Sequence, residues 1–166
     1  MDLFLWRHAD ALPGTPDFER ALSPFGHQQA SKVAEWFRKQ AGPAGLADLR
    51  LLVSPAVRTR QTVAHFCEDE NKIQLCMPLY ENATPKEILE ILGWPDITAP
   101  ALIVGHQPQI GILADFLLAG IPHPESYQRG TSAHSGLGGG FRKSALWWLR
   151  FEPGQNSAQL VHVMEP

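Results

Sequence analysis

Cysteine is scarce in this chain: Cys67 and Cys76 are the pair present in 166 residues. They make no CxxC motif and supply no disulfide framework. Seven histidines are present, yet no two stand at HxH or HxxxH spacing, so no metal-binding motif is written into the sequence. Basic residues are in slight deficit, with 14 Lys+Arg against 17 Asp+Glu and a net charge of −3. That balance argues against bulk nucleic-acid binding through a cationic surface. No apolar run approaches the ~18 residues of a membrane span. The start, Met1-Asp2-Leu3-Phe4-Leu5-Trp6, lacks the basic n-region and long apolar stretch of a signal peptide. A cytoplasmic protein without a membrane or nucleic-acid partner is the expectation.

What is present describes a folded chain. Hydrophobic residues make up 44% and charged residues 19%, which excludes disorder, collagen and coiled coil. At roughly 150 residues per domain, the length predicts one domain spanning 1–166. The 14 glycines and 14 prolines predict extensive loops.

Apolar runs at Leu3–Trp6, Leu49–Val53 and Ala101–Val104 read as strands buried on both faces. Ile73–Met77 is a further short strand, Ser144–Phe151 another, and Gln159–Met164 reads as an edge strand. Between them lie helices. One opens at Ser23-Pro24, an N-cap followed by proline, and is expected to end near Gln40, before Gly42-Pro43. A second opens at Ser54-Pro55 on the same logic and runs to about Glu68; a third starts at Pro85 and stops at Gly93; a fourth covers Ile110–Ala119. Gly130–Gly140 is glycine-rich and reads as a loop. Strands alternating with helices predict an α/β sheet layered between helices.

Three strands share a feature: the apolar run stops and polar or cationic residues follow at once. Leu3–Trp6 is followed by Arg7-His8, Leu49–Val53 by Ser54 and then Arg58, and Ala101–Val104 by Gly105-His106. In open α/β sheets, ligands bind beyond the carboxyl ends of the strands. If these strands are parallel neighbours, two arginines and two histidines converge on one crevice. Arginine offers a rigid fork of donors for phosphate oxygens and stays charged at any working pH. Arg58, in the first turn of its helix, would add free backbone N–H groups and the helix dipole. A neutral histidine beside bound phosphate is a competent nucleophile, and a second histidine is placed to donate to the phosphate oxygens. The arginines would supply the charge stabilisation that Mg²⁺ supplies in kinases. Phosphoryl transfer through a phosphohistidine intermediate follows. The remaining histidines (His27, His65, His123, His134, His162) are read as structural, with His65 nearest to an exception because it follows Arg58 on the same helix face. Cys67 and Cys76 are read as packing residues, and Trp147-Trp148 as core plus surface.

Arg7-His8-Ala9, the segment Ser54-Pro55-Ala56-Val57-Arg58-Thr59-Arg60-Gln61-Thr62, and Val104-Gly105-His106 together resemble the histidine phosphatase superfamily, which includes phosphoglycerate mutase-like proteins. The Arg-His-Ala-Asp-Ala form, the Leu22-Ser23-Pro24-Phe25-Gly26 segment and the short chain look most like the bacterial phosphohistidine phosphatases of the SixA type. The resemblance implies a three-layer α/β/α sandwich with a mostly parallel central sheet, no metal and no organic cofactor. It implies His8 as nucleophile, Arg7 and Arg58 as a clamp on the phosphoryl oxygens, and His106 as an assisting donor. Ala9 stands where glycine is commonest, which matters only if the backbone there needs positive φ. The family's usual acid lies in a longer acidic motif, of which Glu81-Asn82-Ala83-Thr84-Pro85 is a reduced version. Glu81 is therefore the candidate general acid, with Asp10 behind it.

A weak acid bears on substrate. Serine and sugar phosphates expel an alkoxide that needs a proton, whereas phosphohistidine expels imidazole, whose protonation near pH ~6.5 eases departure. The leading expectation is removal of phosphate from phosphohistidine in a protein partner, such as a phosphotransfer domain. The alternatives are a phosphatase of small phosphomonoesters such as sugar phosphates, or a non-catalytic phosphoprotein-binding module. Larger relatives insert segments that wall the pocket. This chain spends its length on the sandwich, so an open pocket is expected, with Arg142 and Lys143 as basic residues available to a phosphoprotein.

Overall fold

A computed structural model of the chain describes residues 1–46, 48–80, 83–93, 97, 99–120, 141–152, 155 and 157–166. Its centre is a six-stranded sheet: β1 (Asp2–Arg7), β2 (Arg50–Val53), β3 (Ile73–Leu75), β4 (Ala101–Gly105), β5 (Leu146–Arg150) and β6 (Gln159–Met164), in the order β3-β2-β4-β1-β5-β6. The first four are mutually parallel, and β5 and β6 close one edge antiparallel. The sheet is mostly parallel, as the resemblance implied, and β6 is the edge strand expected from its pattern.

Alternation along the strands separates two cores. Leu3 and Leu5 of β1, Leu52 of β2 and Ile103 of β4 point to one face, where they pack with α3 (Pro85–Leu92) and α4 (Gln109–Ala119). Phe4, Trp6, Leu51, Val53, Leu102 and Val104 point to the other, against α1 (Pro24–Leu46) and α2 (Val57–Ala64). A strand puts successive side chains on opposite faces, so a wholly apolar run is what a sheet covered on both sides requires. The result is a three-layer α/β/α sandwich.

The helix boundaries differ from expectation in places with identifiable causes. Ser23 does cap α1: its Oγ accepts the Gly26 N–H at 3.0 Å. The first helical stretch of α1 ends, as expected, just before Gly42, whose φ of 62° glycine adopts without a steric penalty; a second short helical stretch beyond that break carries the element on to Leu46. Ser54 does not cap α2. That helix begins at Val57 after an extended Ala56, without a side-chain cap, and ends at Ala64 rather than near Glu68. The α3 helix follows its signals closely, with a Thr84/Glu87 capping box, Pro85 in the first turn and a left-handed Gly93 at the end. The Gly130–Gly140 segment lies outside the described residues. Among the described residues no helix is long and apolar enough to cross a membrane.

Candidate active site

The parallel register settles where the motif residues lie. Arg7 pairs with Gly105 across β1 and β4, and Val53 pairs with Val104 across β2 and β4, so the three strands end in line. Backbone bonds continue past the strand ends and fix the loops: His8 N–H donates to Gly105 O and Ser54 N–H to Val104 O, each at 3.0 Å. Arg7, His8, Arg58 and His106 consequently line one cavity of about 740 Å³, joined by Asp17 and Tyr80. The convergence expected from the sequence is present.

His8 is held from several sides. Its carbonyl accepts the Ser144 N–H at 3.1 Å. The following Ala9 N–H donates to Thr62 Oγ1, and that hydroxyl in turn donates to Arg58 O at 2.7 Å, tying the His8 loop to the first turns of α2. Ala9 is fully buried, and among described non-glycine residues only Ser144 has positive φ, at 59°. Alanine at position 9 therefore carries no backbone penalty. The His8 ring places Nδ1 2.7 Å from Ala9 O. A carbonyl oxygen has no proton to give, so Nδ1 must be the donor, which leaves the lone pair on Nε2 of the neutral ring. Burial first, then the charges of Arg58, Arg7 and Lys143, lower the His8 pKa from 6.5 to about 4, against an opposing pull from the Ala9 carbonyl. The imidazole is neutral at physiological pH.

His106 lies beside it, with ring centroids 5.1 Å apart. Its Nε2 is 2.8 Å from Ser54 Oγ, so the Ser54 hydroxyl is engaged by the histidine that follows β4 and does not cap α2. His106 Nδ1 is buried and has no hydrogen-bond partner among the described residues. Burial, followed by His8 and Arg58, lowers the His106 pKa to about 3.

The two arginines carry the positive charge. Arg7 Nη1 donates to Phe141 O at 2.7 Å. Arg58, with its side chain 7% exposed, donates through Nη1 to Asp17 O at 2.6 Å and through Nη2 to Asp17 Oδ2 at 2.8 Å. The Nε groups of both arginines are buried without a partner among the described residues. Buried, unpaired N–H donors of fixed geometry are costly unless an acceptor arrives, and a tetrahedral oxyanion provides several. The arrangement can therefore bind a phosphoryl group against a neutral imidazole.

Other readings from sequence fare differently. Glu81 lies outside the described residues. Asp10 does not line the cavity: it bonds Lys143 Nζ at 2.5 Å and Ser23 Oγ at 2.6 Å, and both bonds hold its carboxyl below the usual range. His65 lies beyond the end of α2 and is also outside the cavity. Its Nε2 is 3.0 Å from His27 Nδ1, while His162 stacks on Trp36. His123 and His134 are outside the described residues. Cys76 is buried in a core and Cys67 is half-buried; neither is in a disulfide. Arg142 is paired with Glu165. Among the described residues no group of three or more His, Cys, Asp or Glu side chains is placed to hold a metal ion. Sequence reasoning overlooked Asp17, which sits in the Pro-bearing loop after β1 where no periodicity or motif marks it.

No family model and no curated protein matches the sequence. Solved structures do. One assigned as a phosphohistidine phosphatase SixA, from Agrobacterium tumefaciens, is 25% identical with a TM-score of 0.73, covering 99% of this chain and 97% of its own. Another with that assignment, from Nakamurella multipartitia, is 27% identical with a TM-score of 0.72, covering 99% and 95%. The protein histidine phosphatase SixA complexed with tungstate is 21% identical with a TM-score of 0.73, covering 100% and 97%. Fold and comparisons together define a phosphatase of the histidine phosphatase superfamily, phosphoglycerate mutase-like in architecture. Within that class the chain is similar to the SixA type, in agreement with its motifs.

Proposed function

We propose that this chain is a single-domain, metal-independent phosphatase that removes phosphate from phosphohistidine in a cytoplasmic protein partner, through a phosphoryl intermediate on His8. The observation that carries the reading is the His8 ring: its proton sits on Nδ1 against Ala9 O, which leaves Nε2 as a neutral nucleophile in a cavity shared with two arginines. In the first step the Nε2 lone pair attacks phosphorus and the substrate's P–N bond breaks, its electron pair returning to the departing imidazole. In the second, water attacks phosphorus, the Nε2–P bond breaks with its electron pair returning to Nε2, and phosphate leaves bearing the water's oxygen and one of its hydrogens, the other proton passing to solvent. Arg7 and Arg58 hold the phosphoryl oxygens throughout, where charge accumulates in the transition state. His106 assists from the side, oriented by Ser54.

The SixA-type neighbours support a phosphoprotein substrate. So does the state of the two carboxylates among the described residues that line the pocket. Asp17 is ion-paired, and Glu87 is engaged in the α3 capping box. Neither is a poised proton donor for an alkoxide, whereas a ring-protonated phosphohistidine leaves as neutral imidazole. A small phosphomonoester is the second reading, favoured by a cavity volume within the usual small-ligand range. Incubation with a phosphohistidine protein, with phosphoserine and sugar phosphate as controls, separates them. Faster phosphate release from the phosphohistidine protein is expected; release from the sugar phosphate alone overturns the assignment.

A further inference from the structure

The Asp17 carboxylate occupies a place that the phosphatase reading leaves unexplained. It lies in a short 3-10 turn, Asp17–Glu19, and lines the cavity of His8, Arg7 and His106. Its Oδ2 sits on Arg58 Nη2 at 2.8 Å, its Oδ1 on Arg20 Nη1 at 2.9 Å, and Tyr80 Oη is 3.5 Å from Oδ2. The ion pair is lopsided: the Arg58 side chain is 7% exposed and the Asp17 side chain 53% exposed. A buried cation is thus matched by an anion standing at the mouth. Bonds to Arg20 and Arg58 keep Asp17 ionised, so it is no reservoir of protons.

A phosphoryl dianion entering this cavity meets a carboxylate already seated on one of its two arginines. A free phosphate or an alkyl phosphate brings only negative charge and must bear that repulsion. A phosphohistidine protonated on its distal ring nitrogen brings a cation with it, attached to the leaving group and therefore on the outward side of the phosphorus. Tyr80 provides a flat wall there: its ring is T-shaped to Phe18 at 5.1 Å and to His106 at 5.7 Å.

We propose that Asp17 sets the substrate class of this site, moving from Arg58 to the distal N–H of an N-phosphorylated imidazole when the phosphoryl group takes Arg58. This inference rests on the phosphohistidine reading above. The carboxylate favours the protonated ring, so the P–N bond breaks with its electron pair going to the ring nitrogen and the distal proton staying in place. Neutral imidazole departs without a separate acid. Substrates lacking a leaving-group cation gain nothing from Asp17 and lose Arg58 to it in part.

The test is Asp17→Asn, with Asp17→Glu as the conservative control; the position is half-exposed and the amide is isosteric. Calorimetry with inorganic phosphate should show binding about tenfold tighter in Asp17→Asn, because one unit charge near the anion is removed at a partly screened site. The kcat/KM for a phosphohistidine protein should fall about tenfold, while that for a phosphomonoester stays or rises, and the alkaline limb of the phosphohistidine profile should move to lower pH. Asp17→Glu should recover part of the phosphohistidine rate. Unchanged or weaker phosphate binding, or a parallel fall for both substrates, reduces Asp17 to a prop for Arg58 and overturns the proposal. Tighter phosphate binding with no phosphohistidine hydrolysis by the wild type removes the phosphohistidine reading and the ring contact with it, and leaves only the competition for Arg58.

Discussion

Protonation of His8 is where this account is most exposed to measurement. If His8 kept an ordinary pKa near 6.5, roughly nine-tenths of it would be cationic at pH 5.5 and useless as a nucleophile. Burial among cationic neighbours lowers it to about 4, which leaves nearly all of it neutral at that pH. The same displacement is a statement about stability. As pH falls from 6.5 toward 4 the unfolded chain takes up a proton that folded His8 refuses, so stability falls across that window and levels off below it. At ~1.4 kcal/mol per unit, the His8 displacement is worth about 3 kcal/mol over the full range. The assay is urea unfolding at a series of pH values for wild type and His8→Gln, alongside ¹⁵N titration of the ring. The variant should show a shallower decline between pH 6.5 and 4, with the residual slope due to His106 and the carboxylates, and the wild-type ring should report the Nδ1–H tautomer. Identical slopes, or a ring titrating near 6.5, would refute the reasoning.

Three further outcomes follow from the geometry. His106→Ala should lower kcat by about 10²–10³, the usual loss when one preorganised donor to a developing oxyanion is removed, and steady-state kinetics on a folded variant checks it. Gly26→Ala should destabilise, because a Cβ there would stand 1.9 Å from Asp10 O, and backbone atoms of the His8 loop cannot yield as a flexible side chain would. Overpacking of this kind costs about 1–3 kcal/mol, or a Tm loss of roughly 2–12 °C by thermal melt. Arg50→Ala should cost about 1–3 kcal/mol without changing kcat, since Arg50 holds the Leu92 and Ile91 carbonyls at the end of α3 at 2.8 and 3.0 Å, far from the chemistry.

The four converging residues were legible because strand ends are legible. A wholly apolar run that breaks into Arg-His or Gly-His marks both a buried strand and its carboxyl terminus, and parallel neighbours then bring those termini together. The α3 helix was legible for the same local reasons: cap, proline and terminal glycine all act within a few residues of one another. What escaped depends on contacts far apart in sequence. Ser54-Pro55 carries a cap signature, but Ser54 Oγ meets His106 just past the end of β4, and no local signal announces that competition. Asp17 reaches Arg58 across 41 positions from a loop without pattern. Asp10, by contrast, follows directly on the motif, and yet its carboxylate is taken by Lys143 and by Ser23 at the start of α1.

The central claim is that the phosphoryl group passes through His8. Rapid-quench mixing with a ³²P-labelled phosphohistidine protein, followed by alkaline peptide mapping, tests it most directly. A base-stable, acid-labile phosphate on the peptide bearing His8, formed and discharged at the rate of turnover and absent from His8→Ala, is the predicted result. Turnover with no label on His8, or undiminished turnover by His8→Ala, would contradict the account.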